Sequence, residues 1–385
     1  MINRRKVLGY LGGGVGCGLL GGRLSETLAW AQAAKWSPEP PVNFAPGTII
    51  RTVLKDIPAQ DYKGIILFHE HVNGREVDPV TIEEMQSAER VGITGISSAM
   101  GGGNMELLKE YSQRANMNII ACGGYYLQSS YPPEVKNGSE DEVADILLKY
   151  VTSNPIGAFG VIGQTNNTTD LPPLELKVFR AIGKTSVRTG IPIFTHAPYG
   201  TGTEVGTAAG MKELDAFESV GVDPKKVCIG HVSSLDDPKA TTMKELGKRG
   251  CYVGYDRMGA IHNPDARSAA NGRPIVLDVP DDQLVRNIID FIDAGYVEQL
   301  LLAEDATAQG HKAEVELTNL VNDMQITAAE GARMKNDIMM KLAYGRVMYQ
   351  FIPKLRAAGV QESHLKTILY DNPRRFFGFV PKNVS

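Results

Sequence analysis

The feature that most constrains this chain is an alternation. Eight short apolar or β-branched runs recur along it: GIILFHEH (64–71), GITGISSA (92–99), MNIIACGGYY (117–126), IGAFGVIG (156–163), IPIFTH (191–196), KVCIGH (226–231), CYVGYDR (251–257) and QLLLAED (299–305). Longer stretches separate them, and two of these, 174–190 and 211–221, carry helical periodicity. Parallel strands need long crossovers, and every gap here is long enough to hold one. Eight strand–helix units predict an α/β chain closed into a (β/α)8 TIM barrel, a single domain over 35–385. Residues 35–62 are expected to cap the barrel, and 325–385 to supply closing helices and a tail. No internal repeat, linker or break in composition marks a second domain.

Residues 1–34 read differently. Arg4 and Arg5 precede a Gly-rich, weakly apolar stretch, and the small residues Ala29, Ala31, Ala33 and Ala34 follow. That three-part pattern predicts an export signal peptide, and the paired arginines give it a twin-arginine character. The expected location is periplasmic or secreted, in a bacterium. Glycines from Gly9 to Gly22 break the run before it reaches membrane-spanning length, so no stable membrane span is expected. Forty Lys and Arg face 44 Asp and Glu, without a long block of one sign, which argues against a nucleic-acid partner. Cys17 lies in the leader; Cys122, Cys228 and Cys251 lie in apolar runs and are expected as buried free thiols.

Barrel enzymes place their chemistry where strands end. His69 and His71, two apart on the first run, should point to the same side. His196 ends the fifth run, His231 the sixth and Asp305 the eighth; His262, His311 and His364 fall elsewhere. Imidazole and carboxylate ligands converging on one mouth suit Zn2+ or another divalent metal.

The motifs then extend to a known family. The His69-x-His71 pair, TGIPIFTHA and GVDPKKVCIGHVSSLDD within 189–237, GYDRMG (254–259) and DNPRRFFGF (371–379) recur in order over roughly 60–380. Together they resemble the phosphotriesterase family of the amidohydrolase superfamily, its lactonase branch nearest. The resemblance implies one metal at His69, His71 and Asp305, and a second at His196 and His231. It also implies a carboxylated Lys or a Glu on the fourth strand, bridging the two. The position aligned with that bridge is read as Val161. Two divalent ions a few ångströms apart repel by on the order of 20 kcal/mol at an effective dielectric of about 20. One tight ion is therefore expected, with a second, weaker ion left open. Glu70 and Glu304 each neighbour an inward ligand and are expected to point away.

By the same resemblance Arg257 and Tyr125 face the substrate. The metal-water chemistry gives Asp305 the proton of the attacking water, and without a second metal His231 is freed to act as a hydrogen-bond donor or acid. The expected activity is metal-dependent hydrolysis of a small-molecule lactone, carboxylic ester or organophosphate ester. An amide or carbamate hydrolase is the alternative within the same chemistry. A catalytically inactive exported barrel that binds metal or ligand is the alternative from another class. A homodimer stays open.

Overall fold

The computed structural model describes residues 42–99, 104–152, 159–166, 170–197, 203–234, 237, 239–258, 279–308 and 343–383, with 318, 322 and 327–329. The export leader expected over 1–34 lies outside these residues.

Two short strands come first, β1 (Ile49–Arg51) and β2 (Asp56–Pro58). The barrel strands follow: β3 (Ile65–Glu70), β4 (Ile93–Ser98), β5 (Asn118–Gly123), β6 (Val161–Asn166), β7 (Ile193–His196), β8 (Val227–Ile229), β9 (Tyr252–Tyr255) and β10 (Leu300–Leu302). They lie side by side in chain order, and every pairing is parallel. The ring closes at its C-terminal rim, where His71 N donates to Ala306 O at 2.9 Å and Asp305 N to His69 O at 3.0 Å. The (β/α)8 barrel expected from the alternation is the fold that forms.

The runs form strands because both faces are covered. All six residues of β3 are buried, as are all of β6, β7 and β9. Such strands lack the polar alternation of a half-exposed sheet and read as continuous apolar runs. Helices fill the crossovers, among them α1 (Pro79–Glu89), α2 (Met105–Ala115), α3 (Pro133–Asn137), α4 (Glu140–Thr152), α5 (Pro173–Thr189) and α6 (Thr203–Glu218). Asp78 starts α1 by accepting from the Val80 and Thr81 amides, with Pro79 in the first turn. Gly190 ends α5 with φ of 82°, a left-handed conformation that glycine adopts without strain.

Phe68 and Phe194 meet edge to face at 5.3 Å, and Phe194 packs 4.6 Å from the His69 ring. Glycines make room for them. A Cβ on Gly254 would stand 2.7 Å from Phe68, and one on Gly230 would stand 2.6 Å from Phe194. The histidines thus rest on a packed aromatic floor.

The N-terminal cap is a small antiparallel sheet. β1 pairs with β2 on one side and with β11 (Gly378–Phe379) on the other. This joins the tail motif to the start of the barrel. Asn372 ties the same tail to the last barrel strand by donating to Val297 O and Leu300 O, both at 2.8 Å.

One element departs from the sequence reading. The fourth barrel strand was expected over 156–163; the strand that forms is 161–166. Val161 is its first residue, buried opposite Cys122. It stands five residues before Asn166, the residue that pairs with His196. The side chain of this strand that reaches the histidines is Gln164, whose Nε2 lies 3.0 Å from His69 Nε2. The substance of the expectation holds, since no Lys, Asp or Glu occurs anywhere in β6.

Candidate metal centre

His69 is fully buried, and each of its ring nitrogens has a distinct neighbourhood. Nδ1 lies 2.9 Å from Asp256 Oδ2. Nε2 faces Asp305 Oδ1 at 3.2 Å and Gln164 Nε2 at 3.0 Å. His71 Nε2 lies 2.9 Å from the same Asp305 oxygen. Asp305 Oδ2 accepts from Arg257 Nη1 at 3.0 Å and stands 3.9 Å from His231 Nε2. The His231 ring lies 5.1 Å from His69 and 3.9 Å from His196, while His196 and His69 are 6.2 Å apart.

Barrel closure and local strain position these groups. Asp305 has φ of 49° and His231 has φ of 58°, left-handed backbone that non-glycine residues rarely adopt. Such conformations persist where surrounding contacts fix them. The Asp305 amide is fixed by His69 O, and the His231 amide by Asp256 Oδ2 at 3.0 Å. Glu70 accepts from the Glu304 and Ala306 amides, and Glu304 Oε2 accepts from Arg346 Nε at 2.7 Å. Both carboxylates are thus spent on the closing seam and not on the mouth, as expected.

Asp256 organises the layer beneath. Burial pushes its carboxyl up, but the neighbouring His231 and His69 outweigh that and hold it well below the usual carboxylate range. Its Oδ1 accepts from Ser233 Oγ at 3.2 Å and lies 3.1 Å from His231 Nδ1. An ionised carboxylate at an imidazole Nδ1 fixes that nitrogen as the donor, leaving the Nε2 lone pair to face the mouth. Asp305 is likewise held low, by His69, His71 and His231 against burial. Burial, then His231 and His69, keeps His196 well below the ordinary imidazole range and so neutral.

These residues fit a divalent ion. His69 Nε2 and Asp305 Oδ1 are two acceptors aimed at one another in a buried site, an arrangement that a cation between them stabilises. His69, His71 and Asp305 offer ligand atoms that all lie within 4.8 Å of one another. A second such group, His69, His231 and Asp256, lies on the Nδ1 side, where hydrogen bonds already engage both Asp256 oxygens. We read it as support for the rings and not as a second set of ligands.

The sequence model of the phosphotriesterase family matches residues 80–377. The chain belongs to the phosphotriesterase family. This is a family of metal-dependent hydrolases, and the chain is similar to several of its members. It is 24% identical over 280 residues to the phosphotriesterase homology protein of Escherichia coli, covering 72% of this chain and 80% of that one. A solved structure of that protein, with phosphate in its active site, matches with a TM-score of 0.61 over 82% of this chain and 99% of the other. An aryldialkylphosphatase of Saccharolobus solfataricus is 23% identical over 337 residues, 82% of this chain and 95% of that one. The N-acetyltaurine hydrolase of Bos taurus is 22% identical over 286 residues, 72% and 70% of the two chains.

The structure brings together His69, His71, His196, His231, Asp305 and Arg257, all named from the sequence of this phosphotriesterase-family chain. Tyr125 is half-buried, its ring 6.0 Å from Tyr131. Its neighbour Tyr126 is the tyrosine that reaches the histidines, with its hydroxyl 3.4 Å from His196 Nε2. Asp256 and Gln164 were also missed. Asp256 follows the apolar strand Tyr252–Tyr255 directly, the same signal that picked out Asp305 after LLLA. Gln164 was hidden because its strand was ended too early. Cys122, Cys228 and Cys251 are buried free thiols, as expected.

Proposed function

We propose that this protein is a hydrolase that uses one divalent ion, zinc or a close neighbour, to cleave a lactone, carboxylic ester or organophosphate ester. The observation that carries the proposal is the convergence of His69 Nε2 and His71 Nε2 on Asp305 Oδ1, at 3.2 and 2.9 Å. His69, His71 and Asp305 would hold the ion, with His196 and His231 beside it. A bound divalent ion supplies Lewis-acid polarisation of the substrate oxygen and lowers the pKa of water in the site.

The chain's own groups do the rest. Asp305 is ionised at neutral pH, so its carboxylate can accept a proton from the attacking water. His231, 3.9 Å from Asp305 Oδ2, is placed to pass that proton toward the leaving group. Arg257 orients the carboxylate by donating from Nη1 to Asp305 Oδ2. Phe68 and Phe194 close the floor against bulk water. Tyr126 stands at the His196 edge, in reach of a substrate lying over the rings. Tyr125, further out, is proposed to line the approach.

The experiment is a panel of lactones, aryl carboxylic esters and phosphotriesters, assayed on apo-protein and on protein reconstituted with Zn2+, Co2+ or Mn2+. Turnover of one ester class that vanishes on chelation and returns with metal supports the reading. A second reading, amide hydrolysis, draws on the N-acetyltaurine hydrolase relative. An N-acyl amine in the same panel separates it. Metal bound without turnover of any of these would favour the inactive, ligand-binding barrel. The proposal extends to export through residues 1–34, with the enzyme acting outside the cytoplasm.

A further inference from the structure

The five ligand-type side chains form two adjoining sets, His69 with His71 and Asp305, and His196 with His231. Rings this close would set two divalent ions only a few ångströms apart, and ions at that spacing repel strongly unless an anion lies between them. The charged side chains around the sets, among the described residues, decide whether the protein itself supplies such an anion. Asp256 lies behind the rings, with both oxygens hydrogen-bonded there. Asp305 turns Oδ1 to the first set, while its Oδ2 is already paired with the Arg257 guanidinium at 3.0 Å. What faces the second set is thus a carboxylate oxygen whose charge a cation largely cancels.

Among the described residues, the neutral side chain beside His69 Nε2 is Gln164. It is buried, with Nε2 3.0 Å from His69 Nε2 and with Oε1 lacking any hydrogen-bond partner. A buried amide oxygen without a donor is costly. A half-turn about the last side-chain bond exchanges the two ends and brings the oxygen to face the His69 lone pair. A cation beside His69 Nε2 would satisfy both acceptors. The amide carries no net charge, so it can serve one ion but cannot offset the repulsion between two.

We propose that Gln164 makes this a one-ion centre: it is a neutral ligand of the ion at His69, His71 and Asp305, and together with Arg257 it keeps a second ion from binding tightly at His196 and His231. The proposal rests on the metal-dependent reading above and concerns the number of ions, not the reaction.

Metal content tests it. The full-length protein is loaded with Zn2+ or Mn2+, dialysed against a weak chelator and measured by elemental analysis, and the second equivalent is followed by calorimetric titration. One ion per chain should remain, with the second weaker by on the order of 100-fold. In Gln164→Glu two ions should be retained, and the Mn2+ form should show the electron-spin signature of a coupled pair that wild type lacks. Should Gln164→Glu fail to fold, as read by circular dichroism, Arg257→Gln provides the second variant. It frees Asp305 Oδ2 and should tighten the second equivalent by about tenfold. Two ions held tightly by wild type would overturn the one-ion proposal and leave the metal-dependent reading intact. So would a second equivalent that stays weak in every folded variant, since Gln164 and Arg257 would then not be what excludes it. Folded wild type that binds no ion under any loading would overturn both.

Discussion

Asp256 Oδ2 is shared between two parts of the site: it lies 2.9 Å from His69 Nδ1 and accepts the His231 backbone amide at 3.0 Å. One buried carboxylate therefore sets both the direction of a ring and the strained backbone of the next ligand. The first strand, the sixth and the seventh of the barrel are tied together beneath the mouth. Carboxylates in this position fix the tautomer of a metal-binding imidazole and raise its basicity.

Removing that charge should loosen the metal before it affects the fold at large. Asp256→Asn keeps the volume but loses the ionised acceptor and leaves a donor facing either Ser233 or a ring. Metal affinity should fall by about 10- to 100-fold, measured by competition with a chromophoric chelator. Wild-type affinity in this variant would show that the rings hold their orientation without Asp256.

Deleting a ligand should do more. His69→Ala or Asp305→Ala removes an atom from the group that converges at 3.2 Å. Each variant should lose tight metal binding and hydrolysis together. His71→Ala should follow them, because its Nε2 meets the same oxygen at 2.9 Å. Full metal content with normal turnover in any of the three would remove that residue from the site.

Most of the barrel was legible because strands covered on both faces announce themselves as apolar runs. The histidines were legible because they are the polar residues that end those runs. The same rule failed on the fourth strand for a physical reason. Gln164, Thr165 and Asn166 are polar but buried strand residues at the site, so the apolar signal stopped where the strand was still running. Tyr126 was missed because two adjacent tyrosines follow Gly124, and the pattern could not say which would face the rings. A cap was expected over 35–62, but its strands were not, since β1, β2 and β11 are two or three residues each, too short for periodicity to register.

Export can be tested apart from the chemistry. Replacing Arg4 and Arg5 by Lys keeps the positive charge but removes the paired guanidinium groups on which the twin-arginine reading rests. The double variant should accumulate as a full-length precursor in the cytoplasm, by fractionation and immunoblot, while wild type is processed near residue 35. Equal export of the two would reject the twin-arginine route.

Glu213, in α6, offers a pH test on a group that is not itself a ligand. It is fully buried beside Thr195. Burial pushes its carboxyl up from 4.5 to about 8, against a smaller downward pull from Thr195. In the unfolded chain the group ionises near the ordinary glutamate value, so between that value and about 8 the folded state binds more protons. Stability from this group is then fully present below the unfolded pKa and is lost as pH rises through the folded one. Glu213→Gln removes the titration and keeps the shape. The variant and wild type should have similar stability at mildly acidic pH, and the variant should gain on wild type steadily toward pH 8, by up to a few kcal/mol. Denaturant unfolding of the two proteins across that range reads the difference. A difference independent of pH would mean that Glu213 is charged in the folded state and has a partner there.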